Sequence, residues 1–331
     1  MKLLITGSSG FLGKHVMQAI YKNVAKLSDS LLTQGEPVDK SFGSNSSSIL
    51  TPSSNQLDLT NQGSVIDYFG KNRPNIVLHM AAYCGGIGLN KKCPADLTHI
   101  NLKMATNLFD AIYKYPPNYV YTLGSVCSYP EHCPVPFKED DFWRGYPEIT
   151  NAGYGLAKKM LFMLQKEYRK QYGLKGAHLV PVNMYGPYDH DDLENSHVIP
   201  ALINKFYTAV KENKPVVECW GTGEATREFL YAEDAAKAIV KALIIGLDYP
   251  EPINLGTGRD ISIKNLAHLI ANLTNYKGKI VFTGEVSDGQ PKRRLDVSRA
   301  EELLSWKAET PFTDGLVKTI QWYANRINHE E

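Results

Sequence analysis

The sequence predicts an α/β fold, a doubly wound parallel sheet followed by a smaller C-terminal α/β lobe. Three observations carry that expectation. An apolar stretch, Lys2-Leu3-Leu4-Ile5-Thr6, runs straight into a glycine-rich turn and then a helical pattern. Apolar runs of strand length recur at 75–82, 119–124 and 177–183, with helical stretches between them, the spacing of parallel crossover units. The alternation then stops at Met184-Tyr185-Gly186-Pro187, where a different arrangement begins.

The first turn reads Gly7-Ser8-Ser9-Gly10-Phe11-Leu12-Gly13, followed by Val16, Ile20 and Tyr21 at helical spacing. Strand, glycine turn and helix in that order form a dinucleotide fingerprint of the Rossmann type. Gly7 permits the tight turn, Gly10 lets the backbone approach a pyrophosphate, and Gly13 lets the helix pack on the strand. Amides at the helix N-terminus would hold the phosphates. Residues 24–54 carry little pattern, and Gly43 to Ser48 is low in complexity and reads as a mobile surface insertion. Ile49-Leu50-Thr51 is the candidate second strand. It leads into Pro52-Ser53-Ser54-Asn55, with no acid until Asp58, itself a candidate cofactor contact. A carboxylate there would bind a ribose hydroxyl and repel an extra phosphate, so its absence favours NADP over NAD.

The run ending at Ala81-Ala82 is a buried parallel strand whose small residues let the backbone lie against a cofactor. His79 lies inside that run and reads as a satisfied core histidine. A helix over 101–113 precedes the strand that delivers Ser125. Tyr154 and Lys158 stand four apart, on one helix face. An ammonium beside a phenol favours phenolate, which would make Tyr154 a proton carrier near neutral pH. Cys127, two residues beyond Ser125 on an extended segment, should share its side.

Residues 1–183 are therefore expected to form the NAD(P)-binding domain, with returning strands around 216–221 and 252–257. Residues 184–331 are expected to be mainly the substrate-binding lobe. There, Asn195 or Ser196 caps a helix beginning near His197. Trp220 with Arg227 suits a nucleotide base and its diphosphate. The loop Asp288-Gly289-Gln290-Pro291-Lys292-Arg293-Arg294 could grip a pyrophosphate.

Composition removes other classes. With 36 basic and 35 acidic residues the net charge is +1, which leaves no electrostatic footprint for nucleic acid or a membrane surface. Met1-Lys2 is followed by too few apolar residues for a signal peptide, and no run spans a membrane. The five cysteines contain no Cys-x-x-Cys pair and read as reduced cytosolic thiols, neither a disulfide set nor a metal site. A cytoplasmic location is expected.

Together these segments resemble the extended short-chain dehydrogenase/reductase superfamily over nearly the whole chain, and within it the GDP-L-fucose synthase family. The resemblance rests on Ala81-Ala82 with Gly85-Gly86-Ile87 and Asn90, Leu123-Gly124-Ser125 with Cys127 and Tyr129-Pro130, and Tyr154 with Lys158. It continues through Asn183 with Tyr185-Gly186-Pro187, the block from Ser196 to Leu202, Trp220-Gly221-Thr222-Gly223 with Arg227-Glu228-Phe229, and Asp288-Gly289-Gln290-Pro291. The glycine turn and the Tyr–Lys pair mark only the superfamily. The cysteine after the strand-end serine and the Ser-His-Val-Ile-Pro block are far more specific.

The resemblance implies epimerisation at carbons 3 and 5 of a GDP-4-keto-6-deoxy-mannose, followed by NADPH-dependent reduction at carbon 4. Cys127 and His197 would exchange the carbon-bound protons, while Ser125 and Tyr154 stabilise the enolate. Lys158 would position the nicotinamide ribose, and Tyr154, Lys158 and His197 would also contact the cofactor. Asn183, Lys205, Trp220, Arg227 and one of Lys292 or Arg293 would hold the GDP-sugar. A homodimer through the helices from Asn101 and Gly153 follows by the same analogy. Cys84 departs from the valine common in the family. The alternatives are a related GDP-4-keto-sugar enzyme, such as one acting on a 6-deoxy-heptose, or an NAD-dependent 4-epimerase. A binding-only dinucleotide sensor would typically lack the serine, tyrosine or lysine present here.

Overall fold

The computed structural model describes residues 1–23, 27, 48–190, 196–284 and 289–330. Of the insertion expected over Gly43 to Ser48, residues 43–47 lie outside the described residues, as do the cap Asn195 and the loop acid Asp288, while Ser48 is the first residue of a strand. The first layer runs β1 (Lys2–Thr6), α1 (Phe11–Lys22), β2 (Ser48–Leu50), α2 (Gln62–Asn72) and β3 (Ile76–His79). It continues with α3 (Ile87–Lys92), α4 (Pro94–Lys114), β4 (Tyr119–Leu123), α5 (Ala152–Tyr172) and β5 (Lys175–Pro181). A six-stranded sheet forms in the order β2-β1-β3-β4-β5-β9, with β9 (Pro252–Leu255) returning from the second half of the chain. All its pairings are parallel. β3, β4 and β9 are buried at nearly every position, as expected of strands covered on both faces. The chain leaves β1 to one side for β2 and returns on the other for β3. That reversal opens a crevice at the carboxyl end of β1, where ligands bind in such sheets.

The second half of the chain contains β6 (Asn183–Tyr185), α6 (Val198–Lys211), β7 (Val216–Cys219), β8 (Thr226–Tyr231), α7 (Ala232–Ile244), which packs back on α1 and the main sheet, and β10 (Asp260–Ser262). α8 (Ile263–Leu273), β11 (Lys279–Phe282), β12 (Lys292–Arg293), α9 (Ser298–Leu304) and α10 (Phe312–Glu330) complete it. The first half of β8 pairs with β10 and β12, and its second half with β6. At the handover stands Glu228, with no exposed surface. Its carboxylate accepts the amides of Thr257, Gly258 (2.8 Å) and Leu295 (2.6 Å).

One expected strand lands elsewhere. The segment around 216–221 does not return to the main sheet: β7 pairs in parallel with β11 instead. Its residues alternate exposed and buried, with the charged Glu218 facing outward. A strand with one polar face fits a two-stranded edge, not a doubly covered sheet. The helix near His197 also starts later than expected, with His197 itself as N-cap of α6 and no side-chain cap bond.

Across the carboxyl end of the main sheet, register aligns Thr6, His79, Thr122 and His178 on neighbouring strands. Thr6 Oγ1 shares a hydrogen bond with His79 Nδ1 (2.8 Å), and Thr122 Oγ1 with His178 Nδ1 (2.7 Å). Burial, reinforced by the charge of Lys158, lowers both imidazoles to about 3, so both stay neutral. Each folded value lies below the unfolded one. Their contribution to stability is therefore complete above about pH 6.5 and is lost as pH falls toward the folded value. Replacing His79→Gln should make the pH dependence of unfolding free energy between about pH 6 and 5 shallower by about 1.4 kcal/mol per pH unit. Denaturant titrations at several pH values measure this, and an unchanged slope would exclude the assignment.

Candidate active site

The glycine turn builds the cradle. Gly7 has φ +75°, and a Cβ on it would lie 2.7 Å from the amide nitrogen of Ala81, so only glycine lets β1 and β3 close here. A Cβ on Gly13 would strike the Gly7 carbonyl oxygen. Gly10 is the N-cap of α1 without a side-chain cap, Ser9 and Gly10 are exposed, and Ser8, Phe11 and Leu12 are half-buried. The first amides of α1 are thus free to take a phosphate, and a dinucleotide fits. Ala81 is drawn in by its amide donating to Thr6 Oγ1 (3.3 Å), with Ala82 half-buried beside it. Asp58 spends its carboxylate locally, accepting from Thr60 N (2.8 Å) and Oγ1 (2.7 Å).

Ser125 lies past the end of β4. The next residues, Val126–Ser128, form a 3-10 turn and not the extended segment expected. The turn still brings the cysteine round, because Cys127 N donates to Ser125 Oγ (3.2 Å). α5 packs directly on this turn: Ser128 Oγ donates to the Gly155 carbonyl (3.0 Å), and a Cβ on Gly155 would strike the Cys127 carbonyl. Tyr154 and Lys158 are delivered on the same helix, with the ammonium 5.9 Å from the phenol ring centroid.

The electrostatics differ from expectation. Burial, with the neighbouring Cys84 and Cys127, pushes the Tyr154 phenol well above its usual range, outweighing its hydrogen bond with Ser125. Lys158 does not pull it toward phenolate. Its Nζ donates to the Leu123 carbonyl (3.0 Å), and burial lowers it to about 8, with Cys84 acting in the opposite direction. Tyr154 is a protonated donor.

His197 Nδ1 lies 3.4 Å from a carboxylate oxygen of Asp189, a buried residue, while the imidazole is half-exposed. Desolvation lowers His197, but the hydrogen bond and charge of Asp189 prevail and raise it. Cys84 lies among these groups. Desolvation of its thiol raises it although the residue reaches solvent; Lys158 works against this, while Asp189 and Cys127 add to it. Asp189 has no motif to announce it, since its role depends on the fold returning His197 beside it.

In the lobe, Lys205 Nζ donates to the Glu218 carbonyl (2.9 Å) and sits 5.0 Å from the ring centroid of Trp220, which is half-exposed. Asn183 Nδ2 donates to the Glu228 carbonyl (2.9 Å), stapling β6 to β8. Arg227 Nη1 donates to the Thr226 carbonyl (2.8 Å). The two candidates in the basic loop separate. Lys292 pairs with Asp260 (3.4 Å), whereas Arg293 turns inward and Nη1 donates to Cys127 Sγ (3.7 Å). Arg293 therefore stands with the reactive centre, not with Trp220. No sequence signal separates the two, because both are basic and only the strand pairing leaves Lys292 exposed and Arg293 buried.

Residues 3–256 match the NAD dependent epimerase/dehydratase family. A probable GDP-L-fucose synthase 1 from Oryza sativa subsp. japonica is 38% identical over 82% of this chain and 83% of its own length. A GDP-6-OMe-4-keto-L-xylo-heptose reductase from C. jejuni superposes with TM-score 0.85 at 26% identity, covering 98% of both chains. A GDP-L-fucose synthetase from Naegleria fowleri bound to NADP superposes with TM-score 0.83 at 26% identity, covering 99% of this chain and 95% of that one.

Replacing Asp189→Asn removes the charge that raises His197 and leaves desolvation to act alone. The imidazole titration, followed by NMR, should then move below the ordinary histidine value. An unmoved midpoint would remove Asp189 as the cause.

Proposed function

The chain belongs to the NAD dependent epimerase/dehydratase family, and from that premise we propose that it is an NADP-dependent epimerase–reductase making GDP-L-fucose from GDP-4-keto-6-deoxy-D-mannose. The observation that carries this reading is a protonated Tyr154, hydrogen-bonded to Ser125, in one site with two further proton carriers, Cys127 and the Asp189-paired His197. A simple reductase needs only the first pair.

The 4-keto group acidifies the hydrogens on carbons 3 and 5. Cys127 as thiolate takes the carbon-bound proton, and the C–H electron pair moves onto the ketone oxygen. Hydrogen bonds from Ser125 and Tyr154 hold that enolate oxygen. His197, raised by Asp189, returns a proton to the opposite face of the carbon, and the enolate collapses to the inverted ketone. In the last step Tyr154 gives its proton to the carbon-4 oxygen. When bound, NADPH supplies the hydride for that carbon. Lys158 keeps a cation 5.9 Å from the Tyr154 ring centroid and would be the residue to contact the nicotinamide ribose. The glycine turn with Ala81 and Ala82 would hold the dinucleotide. NADP is favoured because 51–57 contains no carboxylate to repel the extra phosphate. Trp220 offers a face to guanine, and Arg227 and Lys205 are the cations for the diphosphate. A homodimer would form on α4 and α5, where Tyr113, Met160 and Tyr172 are exposed.

A second reading, a reductase for a GDP-4-keto-heptose, is favoured by the near-complete superposition on the C. jejuni enzyme and by the Cys84 thiol beside the sugar site.

Incubation with GDP-4-keto-6-deoxy-mannose in deuterated water separates the two. Deuterium should enter carbons 3 and 5 without NADPH, and GDP-L-fucose should form only with it. NADPH consumption without exchange would select the second reading. Cys127→Ser should abolish most exchange while cofactor binding persists. Tyr154→Phe should lower the reduction rate by roughly 100-fold or more, the scale of a positioned acid, with GDP-sugar affinity retained; near-normal turnover would remove Tyr154 from its role.

A further inference from the structure

Arg293 has a setting that substrate binding does not explain. Its side chain is 6% exposed. Nε donates to Gln290 Oε1 (3.1 Å), and Gln290 is itself buried, donating Nε2 to the carbonyls of Pro130 (3.0 Å) and Glu131 (2.6 Å). Those carbonyls belong to the segment that begins with Cys127. The guanidinium, its glutamine clamp and the cysteine therefore form one closed unit, with Nη1 3.7 Å from Sγ. Main-chain pairing holds the other side, since β12 runs parallel to β8 with Arg293 opposite Arg227.

The charge balance around Arg293 is one-sided. Its neighbours Lys292 and Arg294 both pair with Asp260, at 3.4 Å each. Among the described residues no carboxylate pairs with Arg293. A guanidinium stays charged at any working pH, and a buried charge without a counter-ion is costly. The group within its reach that can become an anion is the Cys127 sulfur. The other groups bordering that sulfur do not supply a cation at contact distance: Ser125 and Tyr154 are neutral donors, Cys84 is a thiol, and Lys158 is spent on the Leu123 carbonyl.

We propose that Arg293, aimed by Gln290, is the positioning residue for Cys127, holding its sulfur as a thiolate directed at the sugar carbon from which it takes a proton. The mechanistic half of this statement rests on the proton-transfer role proposed above for Cys127. The pairing of cation and sulfur does not, and it can be measured without a sugar.

Iodoacetamide reports thiolate directly, because sulfur attacks the methylene carbon and iodide leaves. The alkylation rate of Cys127 at pH 7, read by mass spectrometry with Cys93 in the same sample as reference, is compared in wild type, Arg293→Gln and Arg293→Lys. Arg293→Gln should slow Cys127 by roughly tenfold or more relative to Cys93, the effect of losing one hydrogen bond to a charged group. Arg293→Lys should restore most of the rate, which a purely structural role would not predict. GDP affinity, measured by calorimetry on the same variants, should change little. An unchanged or faster Cys127 rate in Arg293→Gln, with weakened GDP binding, would overturn the proposal and assign Arg293 to the diphosphate. If Arg293→Gln fails to fold, Gln290→Ala keeps the cation and removes its clamp; an unchanged Cys127 rate there overturns the proposal equally. Absence of GDP-L-fucose formation with a normal alkylation pattern would instead refute the assigned substrate and leave the Arg293–Cys127 pairing standing.

Discussion

The architecture depends on one buried carboxylate. Glu228 has no contact with water and is stabilised by main-chain amides from two separate segments, Thr257–Gly258 after β9 and Leu295 after β12. Burial raises it, and the amide hydrogen bonds act in the opposite direction. Because β9 is the edge of the main sheet and β12 belongs to the lobe, this single side chain joins the two layers. It also sets the register of β12 against β8, and through it the position of Arg293. Asn254 fastens the same region, accepting from the Tyr129 hydroxyl (2.7 Å) and donating to the carbonyls of Phe137 and Asp296 (3.0 Å each). The turn carrying Cys127 is thus tied to the lobe by polar bonds that tolerate little displacement.

Within that frame, burial and pairing act on the reactive groups in different directions. Tyr154 is half-buried, and desolvation beside the thiols of Cys84 and Cys127 makes it hold its proton. His197 is desolvated too, but Asp189 reverses the sign. Among the described residues no carboxylate pairs with Lys158, so burial brings it toward the neutral range. Desolvation acts on all three, from the half-exposed His197 to the buried Lys158, and only His197 has a carboxylate partner close enough to reverse it.

What could be read from the chain was what is local. The glycine turn and the Tyr154–Lys158 spacing depend on residues a few positions apart, and helix and strand geometry translate such spacing directly into a shared face. The family expected from those stretches is the family matched over 3–256. Ser125 and Cys127 are neighbours through a 3-10 turn and not through an extended run, a local geometry that their two-residue spacing does not distinguish. Groups that meet across the fold were not legible. Arg293 reaches Cys127 from 166 positions away, through a strand pairing that no periodicity encodes. The strand at Val216–Cys219 pairs outside the main sheet because its residues alternate, with Glu218 outward, which leaves one apolar face to cover instead of two.

The row of threonines and histidines beneath the site has a consequence for how charge is felt above it. His79 and His178 stay neutral throughout the working range, and their polar edges are turned on Thr6 and Thr122. The sheet under Lys158 therefore presents no counter-charge on that side. Field lines from the ammonium find little to end on below and emerge on the side open to ligand. A single lysine, backed in this way, can act on the reacting oxygen and the dinucleotide with a strength that the same residue on a solvated surface would not have.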